Sequence, residues 1–119
     1  MLHHVSIEVP PEQVEPAVGF WELLGFMRIE APGPFAGFVT WLERDGTQIH
    51  LIHTPEPAMP QLAHPGVVVE DFPAAVSALR GAGFEVAPAD NLWGAERAFT
   101  SMPGGHRVEL MAAPPPRGT

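Results

Sequence analysis

From Leu2 to Val9 the chain alternates: Val5, Ile7 and Val9 fall on one side, and His4, Ser6 and Glu8 on the other. That is the period of a half-buried β-strand. Pro10 and Pro11 close it. Val14, Ala17, Val18, Trp21 and Leu24 then recur at helical spacing, and Gly25 supplies a C-terminal stop. Phe26 to Glu30 and Phe38 to Glu43 read as strands, separated by a loop at Pro32-Gly33-Pro34. Asp45-Gly46 turns the chain into the next strand, which carries His50 in its middle.

The second half follows the same order. Val67 to Glu70 is a strand, and Asp71 caps a helix with Pro73 in its first turn. Phe72, Ala75, Val76 and Leu79 give that helix an apolar stripe, and Gly81 and Gly83 end it. Phe84 to Ala87 is a short strand, Asp90 to Gly94 a loop, and Arg97 to Met102 another strand. A glycine turn at Gly104-Gly105 leads into the last strand. There Val108 and Leu110 share one face, while Arg107, Glu109 and Met111 share the other.

The halves are copies of one unit. Leu24-Gly25-Phe26 matches Ala82-Gly83-Phe84, the strand opened by His4 matches the one after His64, and His50 matches Glu109. Each copy opens with a histidine and closes with a ligand-type residue. The expected fold is α+β: two β-α-β-β-β units forming a curved mixed sheet with helices on its outer face. Unit one runs from about 1 to 53, a proline-containing linker covers 54–63, and unit two runs from about 64 to 113, within a single domain of 1–119.

Composition narrows the function. The net charge is -8, all six basic residues are arginine, and no basic patch suits nucleic acid. No apolar run approaches a membrane span. Without cysteine there is no thiolate nucleophile, disulfide or cysteine-ligated zinc, and the expected compartment is the cytoplasm.

Glu109 is a carboxylate inside an apolar strand, a costly position unless it is paired, protonated or metal-bound. The alternation puts His4, His50, His64 and Glu109 on the sheet face opposite the helices. Three imidazoles and a carboxylate suit a divalent first-row metal: Zn, Ni, Co, Mn or Fe. Each residue also has a plain structural reading. His4 could bond a strand neighbour, His50 could sit on an open surface, His64 could belong to the linker, and Glu109 could pair with Arg97 or Arg107. The repeat picks out all four together. His3 and His53 fall on the opposite alternation, and His106 lies in a turn.

The paired units, the opening His-His-Val-Ser-Ile-Glu-Val, the phrase Phe20-Trp21-x-x-Leu24-Gly25-Phe26 and the closing Gly105-His106-Arg107-Val108-Glu109-Leu110 resemble the vicinal oxygen chelate superfamily. That superfamily includes glyoxalase I, methylmalonyl-CoA epimerase, fosfomycin-resistance proteins, extradiol dioxygenases and bleomycin-resistance proteins. The resemblance covers nearly the whole chain and implies metal ligands at His4, His50, His64 and Glu109. His50 stands where glyoxalases and epimerases carry Glu or Gln, and the set His4, His64 and Glu109 matches the fosfomycin and dioxygenase branches.

The resemblance implies a glyoxalase-like lyase, isomerase or epimerase that binds two adjacent substrate oxygens to the metal. Glu96 and Glu8 are candidate proton carriers. Ser6, Phe38, Trp41, Trp93, Phe99, Met102 and Met111 are candidate pocket walls. An Fe(II) extradiol-type dioxygenase is one alternative, and a metal-free binding protein of the bleomycin-resistance type is another. Fosfomycin transfer is disfavoured, because the loop from Ala87 to Gly94 has no basic residue for a phosphonate. The expected partners are a small-molecule substrate and a second copy of the chain, as a homodimer.

Overall fold

A computed structural model describes residues 1–117. Gly118 and Thr119, the end of the expected domain span, lie outside the described residues. The elements are β1 (His4–Val9), α1 (Val14–Leu23), β2 (Met27–Ile29), β3 (Val39–Arg44), β4 (Thr47–His53), β5 (Gly66–Val68), α2 (Phe72–Gly81), β6 (Val86–Ala89), β7 (Arg97–Ser101) and β8 (Arg107–Met111). Short 3-10 turns, absent from the sequence expectation, precede α1 at Pro11–Gln13 and follow β2 at Gly33–Phe35. The order is the expected α+β arrangement of two β-α-β-β-β units. No described helix is long and apolar enough to cross a membrane.

The backbone separates into two compact units. One holds residues 1–59 with Pro103–Gly105; the other holds residues 60–102 and the chain from His106 on. Each has its own four-stranded mixed sheet, in the order β1-β4-β3-β2 in the first unit and β5-β8-β7-β6 in the second. In each, the first strand runs parallel to the last and the other pairings are antiparallel.

The registers explain the repeat. In the first unit His50 lies between Ser6 of β1 and Trp41 of β3. In the second, Glu109 lies between Gly66 of β5 and Phe99 of β7. His50 and Glu109 therefore hold the same position in their sheets. His4 and His64 each stand two residues before the partner of that position, on the same face.

Both helices end in the same way. Gly25 and Gly83 adopt positive φ, at 89° and 94°. The next residue's N–H then reaches back past the glycine, Phe26 to the Trp21 carbonyl and Phe84 to the Leu79 carbonyl. This six-to-one bond is the Schellman cap, and it needs a residue that tolerates the left-handed region. The repeated Gly-Phe is thus a helix terminator. It also explains why β6 begins at Val86 and not at Phe84: the Phe84 N–H is spent on the cap. Between β3 and β4, Asp45 (φ 50°) and Gly46 (φ 86°) form the two-residue turn whose twist matches a hairpin.

In the first unit α1 buries Val14, Ala17, Val18, Phe20 and Trp21, and the sheet buries Ile7, Val9, Leu42, Ile49 and Leu51. Val5, expected with them, is half-buried. In the second unit Val67, Val69, Val108 and Leu110 are buried, but α2 buries only Phe72 and Leu79. Ala75 and Val76 of its expected stripe remain half-buried. The Asp71 carboxylate accepts the Ala74 N–H at 3.1 Å and satisfies one of the open donors at the start of α2, where Pro73 has none. Replacing it with alanine should cost about 1 kcal/mol in denaturant unfolding, and with asparagine much less. An equal loss for both variants would contradict the capping role.

Candidate functional site

In the second unit, Glu109 on β8 is 8% exposed. Its Oε2 accepts from Arg97 Nε at 2.9 Å, and its Oε1 lies 3.1 Å from His64 Nε2. Burial pushes the carboxyl up, but the hydrogen bonds from Arg97 and His64, with their charges, hold it below the ordinary carboxylate value. Arg97 is itself fixed: its Nη1 donates to the Asp90 carbonyl, and its guanidinium lies over the rings of Trp93 and Phe99. Arg97, not Arg107, is therefore the partner of Glu109.

The tautomer of His64 carries chemical information. Its Nδ1 lies 2.8 Å from the Leu62 carbonyl, which can only accept, so Nδ1 carries a hydrogen. That leaves Nε2 facing a carboxylate oxygen. Two lone pairs cannot share that space unaided, so either a second proton or a cation sits between them. A backbone carbonyl on one imidazole nitrogen is also the usual support for a histidine that binds metal through the other. The two atoms, 3.1 Å apart, are the imidazole and carboxylate donor types that first-row divalent cations take. The residues present in this unit therefore suit a divalent cation.

In the first unit the structure brings His4 and His50 together, with ring centroids 4.1 Å apart and nearly parallel. His50 stacks on its other side against Trp41 at 4.2 Å. Its Nε2 lies 2.7 Å from Gln48 Oε1, and Gln48 Nε2 donates to Glu43. The Gln48 oxygen thus accepts, which leaves His50 Nδ1 as the nitrogen with a lone pair. Burial first, and then His4 and His3, hold His50 below its ordinary value of 6.5. At neutral pH it is the uncharged imidazole that ligation requires. Two participants were not anticipated. His3 sits 3.0 Å from His4 between their Nδ1 atoms, because it precedes β1 and escapes the alternation. Gln48, two residues before His50 on β4, is the other. His53, as expected, points elsewhere and bonds Thr40. Among the described residues, no three His, Asp or Glu side chains are gathered into a metal-holding group.

The remaining candidates are dispersed. Ser6 pairs across the ladder with His50. Phe38 is exposed and meets the edge of Phe35. Trp93 donates to the Ala113 carbonyl, Met111 is half-buried, and Met102 is buried at 2% exposure. Glu8 accepts the Ala58 N–H, and Glu96 is exposed. A cavity of about 760 Å³ lies between α2 and the β6–β7 strands, where Val76, Val86 and Ala98 line it. Val86 and Ala98 alternate away from Glu109, so this cavity does not mark the chemistry here. A smaller groove of about 400 Å³ runs on the Glu109 face, beside Phe99, Ser101 and Arg107.

No protein-family model matches the chain, and no curated protein sequence matches it. Solved structures do. A glyoxalase family protein from Bacillus anthracis superposes with a TM-score of 0.83 at 25% identity, over 93% of each chain. The oxidase ChaP-H2 gives 0.76 at 21% identity, over 100% of this chain and 98% of that one. A bleomycin resistance determinant encoded on the transposon Tn5 gives 0.65 at 17%, over 90% and 94%.

The lowered Glu109 value sets an acid limb. A carboxyl depressed on folding stabilises the native state above its ordinary value and loses that contribution as pH falls through the folded value. In chelator-treated protein, the stability advantage over Glu109→Gln should therefore be present at pH 7 and shrink below about pH 4.5. A difference that stays constant between pH 7 and pH 3 in urea unfolding would show that Glu109 is not so held.

Proposed function

We propose, on the premise that this chain has the fold of the vicinal oxygen chelate superfamily, that it is a metal-dependent enzyme of glyoxalase-like type, a lyase or isomerase acting on a small molecule with two adjacent oxygens. One observation carries the reading. His64 donates Nδ1–H to the Leu62 carbonyl and turns Nε2 towards Glu109 Oε1. His64 and Glu109 are the donors of the second unit. The sequence reading adds His4 and His50 of the first. A bound divalent metal would supply Lewis acidity, lowering the cost of negative charge on a substrate oxygen.

The protein's own groups have separate tasks. Arg97 orients the Glu109 carboxylate and keeps it ionised. The Leu62 carbonyl fixes the His64 ring. Gln48 fixes His50 in turn. Phe99, directly across from Glu109, and Trp41, directly across from His50, offer flat apolar walls. Glu8 and Glu96 are the nearest sequence candidates for moving a proton, and neither has a resolved catalytic contact.

Untagged protein should hold about one metal per chain by elemental analysis. His64→Ala and Glu109→Gln should abolish uptake, and His4→Ala and His50→Ala should weaken it. Arg97→Ala should cost about 10–100-fold in metal affinity, as the loss of a supporting hydrogen bond does elsewhere. Uptake should also release protons, because metal ligands bind in their deprotonated forms. Protein that stays metal-free after incubation with Ni, Co, Zn, Mn and Fe(II) would sink the enzyme reading, in favour of a metal-free binding protein.

A second reading has one observation behind it. His50 Nε2 is occupied by Gln48, so His4, His64 and Glu109 are the ligands without such a competing amide. Two histidines and a carboxylate suit Fe(II) and dioxygen. A lyase or isomerase should turn over without oxygen on a redox-inert metal. Dioxygen uptake by the Fe(II)-loaded protein in a catechol screen would replace the first reading with the second.

A further inference from the structure

The face that carries Glu109 holds another group with no task so far. Arg107 precedes Glu109 by two residues on β8 and so projects to the same side. Its guanidinium carbon lies 4.2 Å from the Phe99 centroid. Phe99 is the cross-strand neighbour of Glu109, and the His64 ring meets it edge-on at 5.2 Å. Arg107 and His64 therefore touch one and the same ring, and a single small molecule can span them.

The other arginines of the folded elements are occupied. Arg28 pairs with Glu15, Arg44 donates to the Leu24 carbonyl, Arg80 donates to the Val86 carbonyl and Arg97 holds Glu109. Arg107 is exposed, and among the described residues it has the aromatic contact and no ion pair. It borders the groove of about 400 Å³ formed with Phe84, Ala87, Phe99 and Ser101, which Glu85 also lines. A guanidinium stacked on a ring is preorganised, with its donor fork open to a carboxylate. The chain carries a net charge of -8, so an anion would be repelled in general and needs such a local cation.

We infer that the Glu109 site takes a small carboxylate. Its anionic end lies on Arg107, its apolar body on Phe99, and its two adjacent oxygens at the His64 and Glu109 end. The inference rests on the metal reading above and adds the substrate's charge.

The test compares catechol with 3,4-dihydroxybenzoate, which differ by one carboxylate, on nickel-loaded protein by calorimetry. The carboxylate also changes the acidity of the diol, so the readout is the preference in the wild type divided by the preference in Arg107→Gln. That ratio should be about tenfold or more, as expected for a hydrogen bond to a charged group, with nickel content and catechol affinity unchanged in the variant. An equal preference in the two proteins overturns the inference while leaving the metal reading intact. If the wild type takes up no metal, the metal reading fails. Benzoate alone, titrated into the metal-free protein by NMR, then decides the arginine. Benzoate shifts at Phe99 that vanish in Arg107→Gln support the anion site, and their absence removes it.

Discussion

A buried carboxylate sits on an inner strand of the second sheet, and much of that unit is arranged around the cost of keeping it there. An uncompensated charge in that position would cost several kcal/mol. Glu109 is compensated from two sides: Arg97 from the neighbouring strand on one oxygen, and His64 from the lead-in to β5 on the other. Each compensator has its own support. Trp93, Phe99 and the Asp90 carbonyl hold the guanidinium, and the Leu62 carbonyl holds the imidazole. The result is a rigid, ionised carboxylate oxygen 3.1 Å from an imidazole nitrogen. That is a poor arrangement for a core and a suitable one for a cation.

The first unit solves the equivalent position differently. His50 replaces the carboxylate, and no arginine is recruited. Its compensation is a hydrogen-bonded chain, His50 to Gln48 to Glu43, with the ring held flat between His4 and Trp41. Stacking fixes an uncharged ring well, since burial already favours the neutral form. The two units thus share backbone positions and differ in charge. One offers an anionic oxygen, and the other offers neutral nitrogens.

Much of the fold was readable from the pattern. The alternation at Val5, Ile7 and Val9, the helical spacing from Val14 to Leu24 and the 58–60 residue repeat lead to two β-α-β-β-β units, and these formed. The repeat also pointed to the equivalence of His50 with Glu109, which the ladders bear out. Misjudged details were local. Phe84 was read as strand because its apolar character resembles one, but its N–H closes the cap of α2. The apolar stripe of α2 is buried only at Phe72 and Leu79, and Val76 lines a cavity.

What the sequence determined by itself was periodicity and kind: which residues face which side, where glycine ends a helix, and which donor types stand at the repeated positions. These depend on neighbours two to four residues away, so they are present in the linear order. Partner choice was not. Arg97 and Arg107 both lie on the Glu109 face and both were open as its partner. Only the pairing of β7 with β8, which sets Arg97 opposite Met111 and Phe99 opposite Glu109, made Arg97 the partner and left Arg107 over a ring. The protonation of His64 was equally invisible, because it depends on a backbone carbonyl two residues back folding onto Nδ1. Hydrogen bonds are directional and short, and so they are decided by where the tertiary structure sets the atoms, not by which atoms the sequence provides.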